Sequence, residues 1–336
     1  MIDYRLEQLK TWLSETVGLP EFTIAPASAD ASFRRYFRVT LPGRSLIAMD
    51  APPDKEDCHP FVKVARAFRQ LGLNVPKVLD EDHQKGFLLL SDLGTQLYLD
   101  ALNEATVDRL YGDALQALLR LQTCPEDVGL SVPSYDHALL SREMALCPEW
   151  FFGKHLGLNP EEHDFFKLDN TYEILIQSAL EQPQVWVHRD FHSRNLMITQ
   201  PDNPGVLDFQ DAVVGPITYD LVSLLKDCYI SWPRARVVAW VEQHRRSLLA
   251  TNQFNSFDSK TFLRWFDWMG VQRHIKVFGI FARLNYRDGK SGYLKDLPRT
   301  INYVVEVAKL YPELTRLDAF LRDNVLPRLN ADGTAR

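Results

Sequence analysis

The sequence predicts an α+β fold of two lobes, with a small β-rich lobe over residues 1–94 and a larger, mostly helical lobe over 95–330. Three observations predict it. Short β-rich runs with one helix among them occupy the stretch before Gly94. After Gly94, leucines and alanines recur at helical spacing. Between apolar QVWV and LMI stands a dense polar run, HRDFHSRN (188–195), of a kind that only a turn or a reactive loop places between two strands.

The elements follow in order. Residues 3–17 read as a helix with Leu6, Leu9, Trp12 and Leu13 on one face. ASADASFRR (27–35) reads as a polar stretch. YFRVTL and SLIAMDA read as strands joined by a hairpin at PGR (42–44). Residues 56–72 read as a helix closed by Gly72. VPKVLDED and GFLLLSDLG supply two more strands, and Ser91–Gly94 is the connector between lobes. Helical runs follow at 95–122, 137–156 (bent at Pro148), 161–181, 233–250, 259–286 and 298–328, with a shorter one at YDLVSLLKDCYI. The tail LNADGTAR is expected to be loose.

Composition narrows the function. The 336 residues are 46% hydrophobic and 24% charged, ordinary for a soluble domain pair. A net charge of −6 argues against bulk binding to nucleic acid, which needs a basic face. Cys58, Cys124, Cys147 and Cys228 form no CxxC pair and no zinc-ligand spacing. MIDYRLEQLKTWL lacks the basic start and apolar run of a signal peptide, and no run is long enough to span a membrane. The expectation is a cytoplasmic protein, monomer or weak dimer, acting on a small molecule and not on nucleic acid or membrane.

Chemistry concentrates in three residues. Asn195 follows Asp190 by five positions, and Asp208 follows Asn195 by thirteen. LMI and VLDF flank a turn at Asp202–Gly205, so a short hairpin brings Asn195 and Asp208 to the same end. Two oxygen-bearing side chains there suit a hard cation such as Mg²⁺. Asp190, one loop away, is placed to accept a hydroxyl proton. A base with two metal ligands is the part list of phosphoryl transfer from ATP.

HRDFHSRN followed by LDFQ resembles the motif of the kinase-like aminoglycoside phosphotransferase and choline kinase superfamily, H-x-D-x-x-x-x-N followed by a metal aspartate. The resemblance extends to the two-lobed pattern over nearly the whole chain and implies a protein kinase-like fold. The activation segment ending in A-P-E that protein kinases carry is missing, because QDAVVGPITYDLVSLL follows Asp208 at once. Asp220, in D-x-x-S-L-L, is expected to cap its helix and brace the catalytic loop. A closer resemblance rests on DASFRRYFRV, MDAPP, LLLSDLG, PEWFF, VHRDFHSRNLM and QRHIKVFGIFARLNYRDGKSGYL. It is to bacterial kinases that phosphorylate amino sugars at the anomeric hydroxyl during cell-wall recycling. It implies N-acetylmuramate and N-acetylglucosamine as acceptors. A kinase of the same fold acting on an aminoglycoside, choline or homoserine, or a nucleotide-binding pseudokinase, stays open as an alternative.

The small lobe departs from the pattern. The loop expected over the phosphates, SADASFRRYF, contains no glycine, and Met49 stands where a strand lysine is expected. Backbone N–H groups at Ala31 and Ser32 are the expected phosphate donors, with Arg34 or Arg35 supplying charge. Leu90, Ser91 and Leu93 are expected along the adenine hinge. On the acceptor side, Trp150, His192, Arg194 and Arg273 are the candidates, with an arginine for a sugar carboxylate. Gln272, Arg273 and Lys276 share a helix face. His188 and His274 read as structural, and Phe278 and Phe281 as core.

Overall fold

The computed structural model describes residues 3–29, 33–124, 132–163 and 168–336. Ala31 and Ser32 therefore lie outside the described residues. The chain divides into two compact units. One comprises Met1–Arg120, Cys124–Ser131 and Arg194–Asp211, the other Leu121–Thr123, Val132–Ser193 and Ala212–Arg336.

In the first unit, α1 (Tyr4–Thr11) starts at Asp3, whose carboxylate accepts the Leu6 N–H at 3.1 Å. It continues into a π-helical turn, Trp12–Thr16. The strands are β1 (Thr23–Ala29), β2 (Arg35–Leu41) and β3 (Arg44–Asp50), then, after α2 (His59–Gln70), β4 (Val78–Asp82) and β5 (Phe87–Ser91). They form one antiparallel sheet in the order β1-β2-β3-β5-β4. Period-2 alternation sends Phe37, Val39 and Leu41 to one face with Leu46, Ala48, Phe87 and Leu89, where Leu9, Trp12 and Leu13 cover them. The β2–β3 hairpin closes at Leu41↔Arg44, with Gly43 at φ +79° supplying the left-handed turn position. Helices α3 (Tyr98–Ala101) and α4 (Val107–Gln122) follow.

One expectation here is corrected. Part of the stretch read as polar, from Ala27 to Ala29, belongs to strand β1. Pro26 and its small neighbours hide the strand pattern. They are tolerated because β1 is an edge strand, and its register shifts between Pro26 and Ser28.

The second unit is helical around one long element. It opens with α5 (His137–Met144) and a π-helical segment, Cys147–His155, that bends the chain at Pro148 as expected. Helices α6 (Pro160–His163) and α7 (Asp169–Leu180) lead to β6 (Gln184–Val187). The hairpin β7 (Leu196–Met197) and β8 (Gly205–Val206) belongs to the first unit. Then β9 (Val213–Pro216) pairs antiparallel with β6. Helices α8 (Tyr219–Leu225), α9 (Arg234–Ala250), α10 (Ser259–Asp288), α11 (Leu297–Ala308) and α12 (Thr315–Phe320) complete it.

Helix α10 is the spine. Asp258 caps its start by accepting the Thr261 N–H at 2.8 Å, and Gly289 ends it in the left-handed region. It is buried on nearly all sides from Phe262 to Ala282 and touches α5, α7, α8, α9 and α11. A Cβ at Gly279 would stand 2.4 Å from the Leu146 carbonyl carbon, so glycine lets the chain before the π-helical segment lie directly on α10. No helix among the described residues is long and apolar enough to cross a membrane.

The tail is not loose. His155 Nε2 donates to the Gly333 carbonyl at 2.8 Å, Asn330 donates to Thr334 Oγ1 at 3.0 Å, and Leu329 bridges to Ala335. Local bonds across the tail and one from His155, 178 positions away, fix it, and local sequence does not report the second.

Two histidines are buried in the neutral state. His274 donates to the Lys226 carbonyl at 2.9 Å, and His244 donates to Gln122 Oε1 at 2.8 Å. Burial pushes each down to about 3. A histidine that titrates lower when folded withholds stability as pH falls below its unfolded value of about 6.5. Between pH 7 and pH 5 each should cost about 2 kcal/mol. Urea unfolding at both values should show this loss shrinking in His244→Gln and His274→Gln; an unchanged loss in both would refute the assignment.

Candidate active site

The predicted residues fall into two constellations, one in each unit. In the first unit, Leu196↔Val206 and Met197↔Gly205 pair, and Leu207 N–H donates to the Asn195 carbonyl at 2.9 Å. The hairpin thus closes one residue beyond its strands, and Asn195 and Asp208 emerge together. Asn195 Nδ2 lies 3.4 Å from Asp208 Oδ2. Asp208 holds φ +60°, a left-handed conformation that a non-glycine residue adopts only when its surroundings enforce it. Phe209 enforces it from one side, buried against Phe61 and Phe68 of α2 at centroid distances of 4.8 and 5.9 Å. Asn74 holds the turn end of the hairpin, binding Thr199 Oγ1 at 3.1 Å and the Asp202 carbonyl at 2.6 Å.

Gln210 is the residue that sequence reasoning missed. Its Nε2 donates to Asp208 Oδ1 at 2.8 Å, while its Oε1 is buried with no hydrogen-bond partner among the described residues. A buried amide oxygen without a donor is costly unless something binds it. Asn195, Asp208 and Gln210 together form an all-oxygen donor set, with an orphaned acceptor beside the carboxylate. That fits Mg²⁺, which takes one or two carboxylates and completes its shell with water and substrate phosphate. No group of three or more His, Cys, Asp or Glu side chains among the described residues could hold a metal by itself.

In the second unit, β6 runs straight into the loop His188–Arg189–Asp190. The buried carboxylate of Asp220 accepts the His188 N–H at 2.6 Å and the Arg189 N–H at 2.9 Å. His188 Nδ1 accepts the Asp190 N–H at 3.2 Å. Asp227 accepts both the N–H and the hydroxyl of Ser193, at 2.9 and 2.5 Å. Asp220 therefore braces the loop as expected. It does not cap α8, where Thr218 stands at the cap with its hydroxyl turned to Gln182 Oε1 at 2.7 Å and no side-chain capping bond. Arg189 holds φ +78°, and its guanidinium binds Glu143.

Asp190 ends this braced segment with its side chain 45% exposed. Arg273 Nη2 lies 3.9 Å from Asp190 Oδ1, close enough for attraction but too far for a hydrogen bond. Burial pushes the Asp190 carboxyl up, but the charges of His192, Lys276, Arg273 and Arg189 outweigh it and hold the pKa below the ordinary carboxylate value. Burial dominates at Asp220 and raises it to about 7 despite its two backbone donors. Behind the loop, Glu143 accepts from Arg189, from Tyr135 and from Lys276, the last at 2.9 Å. Lys276 also donates to Tyr219 Oη at 3.0 Å. The wall around Asp190 therefore gathers three cations against Glu143 and Asp190.

The remaining candidates separate. Arg273 stands by Asp190, and its Nε is buried with no partner. His192 packs edge-on against Tyr229 at 5.4 Å. The ring of Trp150 carries the Lys154 ammonium 3.7 Å from its centroid. Arg194 opens the segment that joins the first unit and is half-buried. Leu90 is buried, and Leu93 lies 3.0 Å from where a Cβ on Gly205 would sit. Ser91 is committed elsewhere, because its N–H donates to the Lys77 carbonyl and its hydroxyl accepts the Lys77 N–H. Arg35 is likewise committed, to Asp3 and Asp50. His274, Phe278 and Phe281 are buried as expected.

A loop carboxylate held ionised and an oxygen set on the hairpin that follows are the parts of a phosphotransferase. The chain belongs to the phosphotransferase enzyme family, whose model it matches over residues 23–256. Within that family it is 46% identical over 331 residues to the N-acetylmuramate/N-acetylglucosamine kinase of Pseudomonas putida, covering 96% of this chain and 97% of the relative. The enzyme of that name from Neisseria meningitidis serogroup B is 44% identical over 323 residues, covering 94% of each. Solved structures share the protein kinase-like fold. ADP-bound aminoglycoside phosphotransferase APH(2'')-Ib has a TM-score of 0.57 at 16% identity, covering 89% of this chain and 98% of its own. The GDP complex of aminoglycoside 2'-phosphotransferase-IIIa has a TM-score of 0.60 at 14% identity, covering 91% and 99%.

Glu143 neutralises two largely buried cations at once, so its loss should cost about 3–5 kcal/mol. Denaturant unfolding of Glu143→Ala checks this, and a loss under about 1 kcal/mol, the scale of an exposed pair, would contradict the buried-pair reading.

Proposed function

We propose that the chain transfers the γ-phosphoryl group of ATP to the anomeric hydroxyl of N-acetylmuramate and N-acetylglucosamine. The observation that carries the chemistry is Asp190. It is an ionised, partly exposed carboxylate on a loop braced at both ends, five residues ahead of the oxygen set opened by Asn195. Asp190 accepts a hydrogen bond from the sugar hydroxyl and aims its oxygen at the γ-phosphorus. The new O–P bond forms as the bridging bond to the β-phosphate breaks, ADP leaves, and the hydroxyl proton passes through Asp190 to solvent. A carboxylate held below its ordinary pKa is a weak base, so its role is orientation first and proton acceptance late. Mg²⁺ held by Asn195, Asp208 and Gln210 supplies charge neutralisation at the phosphates when bound.

The acceptor side favours an anion or a neutral sugar. Arg189, Arg273 and Lys276 gather around Asp190, the opposite of what a polycationic aminoglycoside or a choline cation needs. We assign the lactyl carboxylate of N-acetylmuramate to Arg273, whose buried Nε has no partner. The activity fits amino-sugar recycling in the cytoplasm. A non-catalytic nucleotide binder has no chemical need for Asp190, Asn195 and Asp208 together.

Two outcomes test this. Asp190→Asn should lower kcat for ADP release by about 10²–10⁴-fold while ATP affinity holds, and undiminished turnover would remove Asp190 from the chemistry. Arg273→Gln should raise KM for N-acetylmuramate by about tenfold or more and spare N-acetylglucosamine, which lacks the carboxylate. Equal losses on both sugars would assign Arg273 to the base instead.

A further inference from the structure

A kinase of this fold ordinarily meets the ATP phosphates with a strand lysine held by a helix glutamate. Neither is present here. Met49 occupies the lysine position on β3 and is fully buried, and α2 (HPFVKVARAFRQ) contains no acidic residue. Arg34, Arg35 and Arg38 are the cations that β2 and its approach bring to this region.

Strand register narrows the choice. Arg35 pairs directly with Asp50 across β2–β3, and its guanidinium is taken up by Asp50 and Asp3, on the face that α1 covers. Alternation puts Tyr36 on the opposite face, directly across from Met49. Arg34 stands one residue before the start of β2. Arg38 shares the face of Tyr36, but Asp92 and the Gly94 carbonyl hold it at 2.7 and 2.8 Å. Arg34 instead binds Glu56 at 3.0 Å, with both side chains largely buried. The other Glu56 oxygen accepts the Phe33 N–H at 3.2 Å, which fixes the carboxylate against the start of β2. Glu56 lies three residues before α2.

We infer that the Arg34–Glu56 pair replaces the lysine–glutamate pair, with Arg34 as the cation that binds the nucleotide phosphates and Glu56 as its positioning residue. The arrangement preserves the chemistry and changes its address. A cation at the loop end of a strand is held by a carboxylate on the segment entering the helix, instead of a mid-strand cation held from mid-helix. A guanidinium suits the exchange because its planar five-donor fork can engage a carboxylate along one edge and a phosphate along another. The proposal rests on the reading of the chain as an ATP-dependent kinase.

Calorimetric titration with ADP and, separately, adenosine tests it. Arg34→Ala should weaken ADP binding by about tenfold to a hundredfold and leave adenosine unchanged, because only ADP carries phosphates. Arg34→Lys should recover part of the loss, and Glu56→Gln should weaken ADP by a smaller factor. Placing the charge back on the strand, as Met49→Lys in the Arg34→Ala background, should also recover ADP affinity. Unchanged ADP affinity in Arg34→Ala, or equal losses for ADP and adenosine, would overturn the assignment. An unmodified chain that binds neither ligand would overturn the kinase reading, and this assignment with it.

Discussion

Asp220 accepts the backbone N–H groups of His188 and Arg189 with its two carboxylate oxygens, and the second constellation depends on that interaction. Arg189 lies in the left-handed region, where a branched or long side chain gains nothing locally. Two short bonds to a buried carboxylate, together with the Glu143 anchor on its side chain, fix it there. The turn that results delivers Asp190 outward from a strand end whose neighbours are all buried. Asp208 shows the same device in the other unit, with a positive φ held by Phe209 packed on α2. Strain of this kind persists where surrounding structure over-determines it.

Charge is arranged with equal economy. Carboxylates of one type serve three purposes, and environment decides which. Asp190 is kept ionised by the cations around it, Glu143 is kept ionised to hold two of those cations, and Asp220 titrates near neutrality because burial dominates. Arg189 and Lys276 face Glu143, and Arg273 faces Asp190.

Much of this was legible in the sequence, and the limits are physical. The spacing of Asp190, Asn195 and Asp208 was decisive because a short turn fixes hairpin register, and register fixes which residues meet. The same counting, outward from Leu41↔Arg44, reaches Arg35↔Asp50 and so foretells the partner that takes up Arg35. Strand β1 was only partly legible because Pro26 and small residues mask alternation at an edge. Glu143, forty-six positions from Arg189, was invisible because nothing local distinguishes a buried glutamate from a solvated one. The docked tail and the use of Ser91 by Lys77 were hidden for the same reason, since both depend on partners distant in sequence. Gln210 sat in plain view, but an amide declares itself as a ligand only when its orphaned oxygen is seen.

The central claim is transfer to the anomeric oxygen of an amino sugar, and product structure tests it most directly. Phosphorus NMR of the chain with ATP, Mg²⁺ and N-acetylmuramate should show a sugar phosphate coupled to the anomeric proton. A phosphate coupled to any other sugar proton, or no sugar phosphate from either N-acetylmuramate or N-acetylglucosamine, would contradict it.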